Sequence, residues 1–256
     1  MKDAPAENPV DRGEPIFLPA GDSALVVEFG QVIDPDLSAR VMGLRSRVLS
    51  AIEAGELVGI VELMPSFRSL MVHYDPEFTS AATLKKDLSA LIEGRGAVGK
   101  AARLWRIPAC YHGEFAPDLA DVARRTGLES EEVVFKHCAE TYRVYMVGFL
   151  PGYGYLGDLP SELRLPRKET PRLRVPPGSV AIATAMTAIY PLESPGGWHL
   201  IGRSPVKLFD PHWDRPSLLE PGDRVRFQPV SAEEFGDIQQ QVSLDEYEPV
   251  SEAFVP

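Results

Sequence analysis

Two stretches of the sequence concentrate side chains suited to chemistry. The first, Arg164 to Arg174 (RLPRKETPRLR), carries five basic residues and one acid inside a chain of net charge −11. Guanidinium groups grip carboxylate or phosphate oxygens in pairs, and Arg167 and Arg172 each adjoin a proline that stiffens the loop. Both are candidate anion ligands; the competing reading is a solvated loop that faces the acidic end of the chain. The second stretch, Tyr190 to His199 (YPLESPGGWH), gathers Tyr190, Ser194, Trp198 and His199 around the adjacent Gly196 and Gly197. Glycine lets backbone N–H groups come close to a ligand, and loops on rigid scaffolds host sites. A purely structural turn is the alternative, and a lone histidine such as His199 is more often packed than a general base. Arg203, in Ile201-Gly202-Arg203, is placed to reach the same cavity as Ser194.

Other patterns carry less. Gly152-Tyr-Gly154-Tyr-Leu-Gly157 satisfies G-x-G-x-x-G and follows a strand-like run, but dinucleotide binding also needs a helix that opens there toward the pyrophosphate. Pro151, Pro160 and the lack of helical periodicity remove that helix, so the segment reads as a glycine-rich turn. No G-x-x-x-x-G-K-[ST] phosphate loop and no G-x-S-x-G nucleophile elbow occurs. Cys110 and Cys138 are too few for a disulfide framework, and no Cys-x-x-Cys or His-x-x-x-His pair offers metal spacing. No metal is expected. The net negative charge argues against nucleic acid as a partner.

The elements that must position these residues fall into two groups. At 256 residues, two modest domains are favoured over one, and 24 prolines, roughly twice the usual ~5%, argue against a helical bundle. Residues 1–14 read as a flexible leader. Strand-like Ile16 to Leu18 and Ala24 to Phe29 precede a helix that opens at Asp34-Pro35, with Leu37, Val41, Leu44, Val48 and Ile52 at helical spacing until Gly55. Val58 to Met64 and Ser69 to Tyr74 pair through a turn at Pro65-Ser66, a helix follows to about Glu93, and a strand is expected over Arg103 to Cys110. The order strand, helix, strand, strand, helix, strand predicts a ferredoxin-like βαββαβ domain over residues 15–100, with a glycine-rich junction at Gly94 to Gly99. Beyond it come short helices at Leu119 to Thr126 and Glu131 to Ala139. The strand-like runs Tyr142 to Phe149, Val180 to Tyr190, Val206 to Phe209 and Arg224 to Pro229 then predict a barrel or sandwich over residues 101–230. The rest, residues 231–256, carries seven acids from Glu233 to Glu252 without a Lys or Arg and reads as a solvated acidic tail. No stretch approaches the ~20 apolar residues that span a bilayer, and no signal core is visible, so the expected location is the cytoplasm.

Ordered through the second half stand Arg143-Val-Tyr-Met-Val-Gly-Phe-Leu-Pro-Gly, Leu165-Pro-Arg, Thr170-Pro-Arg172, Val175-Pro-Pro-Gly-Ser-Val, Ile189-Tyr-Pro, Ser194-Pro-Gly-Gly-Trp, Ile201-Gly-Arg and Glu220-Pro-Gly-Asp-Arg-Val. With Gly21-Asp-Ser-Ala-Leu-Val-Val-Glu-Phe-Gly and Phe67-Arg-Ser-Leu-Met-Val-His-Tyr-Asp-Pro, these resemble the PxpB/KipI family, also called allophanate hydrolase subunit 1 or carboxyltransferase subdomains C and D. The resemblance covers about residues 15 to 230 and implies a cyclophilin-like β-barrel in the second half. It further implies an ATP-using hydrolase component, inactive alone, that serves as the B subunit of a 5-oxoprolinase. Its implied partners are a C subunit of related carboxyltransferase type and an A subunit of the LamB/YcsF type. Two other functions known in such families are inhibition of a histidine kinase, as by KipI, and a carboxyltransferase or allophanate-hydrolase role on a related amide or lactam. Arg167, Arg172, Arg203, Tyr190 and Ser194 are the implied substrate or phosphate ligands, and Thr187 persists at an aligned position. Met186 departs from the family pattern, which carries a glutamine there, and a methionine cannot make an amide's hydrogen bonds.

Overall fold

The computed structural model describes residues 13–93 and 102–254. The chain forms two compact units, Met1–Lys100 and Ala101–Pro256. Most of the leader and the whole Gly94 to Gly99 junction lie outside the described residues.

In the first unit, β1 (Ile16–Pro19), β2 (Ala24–Glu28), α1 (Pro35–Glu53), β3 (Ile60–Pro65), β4 (Ser69–Tyr74) and α2 (Ala81–Glu93) follow in order. Local chemistry sets the α1 boundaries: the Asp34 carboxylate accepts from the N–H groups of Asp36 and Leu37 at 2.9 and 3.1 Å, Pro35 fills the first turn, and Gly55 turns the chain at φ +72°. Leu37, Val41, Leu44 and Val48 of α1, with Leu84 and Leu88 of α2, pack on Leu25, Val27, Leu70 and Val72 of the sheet. The sheet order is β1-β2-β4-β3, antiparallel throughout, so β4 lies between β2 and β3 as a split βαβ requires.

The ferredoxin-like expectation is corrected in one respect. The outer place beside β2 is taken by β1, and β5 (Arg103–Ala109), expected to fill it, belongs to the second unit. The physical reason is burial. Only Phe17 of β1 packs on the first core, which suits an edge, whereas Leu104, Trp105, Ile107 and Ala109 of β5 are all buried and need cover on both faces. In the second unit β5 lies parallel to β13 (Arg224–Pro229) along six residue pairs.

The remaining elements of that unit are α3 (Leu119–Thr126), α4 (Ser130–Ala139), β6 (Tyr142–Val147), β7 (Gly154–Gly157), β8 (Arg172–Val175), β9 (Ser179–Ala183), β10 (Met186–Ile189), β11 (Ser194–Gly196), β12 (His199–Arg203), α5 (Ala232–Ser243) and β14 (Val250–Ala253). Strands run in the order β12-β9-β10-β7-β6-β13-β5-β14. The sheet curls so that its first strand meets its last but one: Arg203, at the end of β12, and Cys110, just after β5, exchange backbone hydrogen bonds of 2.8 and 2.9 Å. This single bridge closes the ring from β12 to β5, while β14 pairs with β5 over Arg103 to Arg106. Strands β8 and β11 pair separately as a two-stranded ribbon.

Three further expectations change. The acidic segment is not a plain tail, since α5 opens with a capping box between Ser231 and Glu234 and β14 pairs with β5. Val206 to Phe209 is not a strand, and only Phe209 makes an isolated bridge, to Ser217. Gly154 to Gly157, expected as part of a turn, forms β7. A Cβ on Gly157 would stand 2.1 Å from the Tyr145 ring, so this glycine admits an aromatic ring rather than a phosphate.

Inside the barrel a polar chain is satisfied from end to end. Thr187 Oγ1 donates to the Ala181 carbonyl at 3.0 Å, so it accepts from His137 Nε2 at 2.9 Å; His137 Nδ1 then accepts from the Tyr111 hydroxyl, also at 2.9 Å. Burial pushes the His137 imidazole down to about 3. Its folded value lies below the unfolded one near 6.5, so its contribution to stability is full above that pH and declines as pH falls toward 3. Denaturant titrations at pH 7, 6 and 5 are expected to show stability falling below pH 6.5 by as much as about 1.4 kcal/mol per pH unit from this group, a component absent in His137→Gln.

Candidate active site

One buried carboxylate organises the region where the two basic and aromatic stretches meet. Asp118 stands just before α3, in the N-cap position, yet its side chain makes no cap hydrogen bond. Instead, Oδ1 accepts from Lys168 Nζ at 2.9 Å and Arg172 Nη2 at 2.6 Å, and Oδ2 accepts from the Leu200 N–H at 2.7 Å. Burial by itself raises the carboxyl pKa, but the hydrogen bonds from Arg172, Leu200 and Lys168 outweigh it and hold Asp118 below its ordinary value. The charged carboxylate therefore ties the basic loop to the first residues of β12.

Around this clamp the second stretch is folded tightly. Gly196 pairs with Arg172 across the β8–β11 ribbon, and a Cβ there would lie 2.4 Å from the Tyr190 hydroxyl. Any larger residue displaces that phenol. Lys168 N–H donates to the Gly197 carbonyl at 2.7 Å, which fixes the basic loop against the glycine turn. The aromatic rings form one group: Tyr153 contacts Tyr190, Tyr155 and Trp198 with centroids 5.1, 5.0 and 6.2 Å apart, all steeply inclined. The Arg167 guanidinium stands 6.0 Å over the Trp198 ring. Burial raises the phenol pKa of Tyr153, Tyr155 and Tyr190, and the positive charge of Arg167 opposes the shift at all three. Arg172 adds to that opposition at Tyr190.

Three polar atoms in this region are buried without a hydrogen-bond partner: Arg172 Nη1, Ser194 Oγ and His199 Nδ1. Ser194 is 7% exposed and His199 fully buried, so solvent does not satisfy them. Such orphans cost free energy unless a water, an ion or a ligand pairs them. The cationic N–H of Arg172 and the hydroxyl of Ser194, near the exposed Arg167 and the aromatic group, are groups of the kind that bind an anion.

Arg167, Arg172, Tyr190, Ser194, Trp198 and His199 are thus brought together. Thr187 and Arg203 are not. Thr187 faces the barrel interior, held by His137 and Ala181, because it lies an odd number of positions from Tyr190 along nearly extended chain. Arg203 lies at the far end of β12, at the bridge with Cys110, and its Nε donates to the Pro177 carbonyl at 2.8 Å. Met186 is buried and pairs with Gly157 and Ala183. Asp118, Lys168, Tyr153 and Tyr155 belong to the arrangement and were not anticipated. The two-residue spacing of Tyr153 and Tyr155, around the start of β7, was the available signal; Asp118 offered none beyond a helix cap. Two clefts lie elsewhere, one of about 410 Å³ with Lys207, Asp210 and Trp213 in its wall and one of about 380 Å³ in the first unit. Among the described residues no group of three His, Cys, Asp or Glu is arranged to hold a metal ion.

A barrel with an arginine-rich, aromatic-walled loop site defines the class of the molecule, and comparison with known proteins places it. Residues 15–219 match the family described as carboxyltransferase domain, subdomain C and D, and the chain belongs to that family. It is 38% identical to the 5-oxoprolinase B subunit of Bacillus subtilis over 84% of this chain and 92% of that protein. Identity to the 5-oxoprolinase B subunit of Escherichia coli O157:H7 is 39%, over 82% and 93% of the two chains. Among solved structures, TTHA0988 superposes with a TM-score of 0.71 at 40% identity; the match covers 82% of this chain and 40% of the length of TTHA0988.

The clamp gives a direct stability prediction. Asp118→Ala leaves Lys168, Arg172 and the Leu200 N–H without their shared acceptor and is expected to cost about 2–3 kcal/mol, read as a lowered urea midpoint at pH 7. An unchanged midpoint contradicts the organising role given to this carboxylate.

Proposed function

We propose that this chain is the B subunit of an ATP-dependent 5-oxoprolinase and that the Asp118-anchored site binds the substrate. The observation that carries the reading is the set of buried, unpartnered polar atoms on Arg172, Ser194 and His199 beside Arg167 and the aromatic wall. The 5-oxoprolinase relatives, which align over nearly their whole length, support the assignment. In the proposed reaction 5-oxoproline, ATP and water give glutamate, ADP and phosphate. A five-membered lactam is an unreactive amide. Transfer of the γ-phosphoryl group to its oxygen makes the ring carbon electrophilic; one water adds there and the C–N bond opens to give the free amine and an acyl phosphate, and a second water hydrolyses the acyl phosphate to glutamate and phosphate.

The chain's own residues serve this chemistry electrostatically. Arg172, oriented by Asp118, holds the substrate carboxylate. Arg167, exposed at the rim of the aromatic wall, faces the side on which phosphoryl charge develops. Trp198, Tyr153 and Tyr190 form an apolar face that excludes water from the ring. ATP enters at the level of the complex: the Gly152 to Gly157 segment is a turn and a strand, with no helix N-terminus to receive phosphates. The partners in this reading are a C subunit of carboxyltransferase type and an A subunit of the LamB/YcsF type. The chain alone is inactive, and the working compartment is the cytoplasm. We assign the second unit to a cyclophilin-like barrel, which its closed ring of strands supports. No helix among the described residues is long and apolar enough to cross a membrane.

The test is ATP-dependent glutamate release from 5-oxoproline by the reconstituted subunits with each omitted in turn. Activity is expected to vanish when this chain is withheld. In the full mixture Arg172→Gln is expected to lower kcat/KM by about 100-fold, the scale of losing one charged ligand contact. Full activity without this chain sinks the proposal.

A further inference from the structure

The first unit holds a cleft of about 380 Å³ lined by Phe29, Ala39, Arg40, Gly43, Arg47 and Ile92. Its two charged residues are both arginines, and no carboxylate stands in its wall. Among the described residues neither arginine forms an ion pair, although the chain carries 37 acidic residues against 26 basic ones. The Arg40 guanidinium carbon lies 4.8 Å from the centre of the Phe29 ring, and Arg40 Nη2 donates to the Gly13 carbonyl at 3.4 Å. Arg47 Nε is buried without a hydrogen-bond partner. Partial burial also lowers the Arg47 pKa from its ordinary value, and no anionic neighbour offsets that shift.

Gly43 forms the floor between the two cations. It lies in the interior of α1, where glycine is unfavourable relative to alanine, and its φ is not positive, so the backbone does not require it. A Cβ there would stand 3.4 Å from Arg47 Nη1 and 3.9 Å from Nη2, in the space beside the guanidinium. Arg40, Gly43 and Arg47 are spaced by three and four positions, which sets them on one face of the helix. Planar guanidinium groups match the two oxygens of a carboxylate, while Phe29, Ala39 and Ile92 offer apolar cover for the group that carries it. The volume is larger than an inorganic ion fills and falls in the range of small-molecule sites. We propose that this cleft binds a small carboxylic acid, with its carboxylate held by Arg40 and Arg47 over Gly43 and its apolar body against Phe29 and Ile92. The site lies in the first unit and uses none of the residues assigned above to the 5-oxoprolinase reaction.

The experiment titrates the full chain by calorimetry with hexanoate and with its uncharged amide, hexanamide. Hexanoate is expected to bind with a Kd of about 1 mM or tighter, and hexanamide at least about 10-fold more weakly, because only the carboxylate pairs with the guanidinium groups. Arg47→Gln is expected to weaken hexanoate binding about 10-fold. Gly43→Leu keeps both charges but fills the floor; it weakens binding by about the same factor without lowering the urea midpoint, since leucine is the better helix former. Arg172→Gln, in the second unit, leaves the hexanoate affinity unchanged. Absence of hexanoate binding overturns the proposal, and so does equal affinity for the amide. An affinity that Arg47→Gln and Gly43→Leu leave intact, or that falls in Arg172→Gln instead, overturns it as well.

Discussion

The Asp118 carboxylate holds together parts of the chain that are far apart in sequence. Its two oxygens take Lys168 and Arg172 from the basic loop and the backbone N–H of Leu200 from the start of β12. A buried anion with three donors is stabilised where it stands, and each donor is fixed in turn. Arg172 is aimed because one of its two terminal nitrogens is occupied by Asp118 while the other is left without a partner. The same clamp sets the position of His199 through its neighbour. Arg172 is thus oriented by a buried acid that takes one of its terminal nitrogens.

The closed barrel provides the frame for that clamp. Alternation along its strands assigns each side chain to one of two environments. Thr187 and Ile189 face the interior, where His137 links Thr187 to Tyr111 in a satisfied neutral chain. Tyr190 joins Tyr153 and Trp198 in the aromatic group instead. The interior chain has its polar groups paired, whereas near the aromatic group Arg172, Ser194 and His199 each keep one buried atom unpaired. The contrast between the two polar sets, both buried, is what singles out the second as the candidate site.

Much of this was legible in the sequence where the determinants are local. The ends of α1 follow from Asp34, Pro35 and Gly55, and the two site stretches announced themselves by arginines beside prolines and by aromatics around Gly196-Gly197. What escaped depended on distant partners. The run from Leu104 to Cys110 is apolar enough for either sheet, and its strand neighbour β13 lies 120 residues away in the chain. Asp118 before a helix is indistinguishable from an ordinary cap until the loop at Lys168 folds back on it. The misplacement of Thr187 was avoidable, since three residues along extended chain reverse the face. Family resemblance supplied the reaction, while geometry supplied the reason that some of its expected ligands meet and Arg203 does not.

In the function proposed above, the substrate carboxylate sits on the unpaired nitrogen of the Asp118-anchored arginine. A crystal structure of the reconstituted complex soaked with 5-oxoproline, without ATP, addresses it most directly. The carboxylate is expected within hydrogen-bonding distance of Arg172 Nη1 and Ser194 Oγ, with the ring against Trp198. Substrate bound elsewhere, with Arg172 Nη1 and Ser194 Oγ still unpartnered, contradicts it.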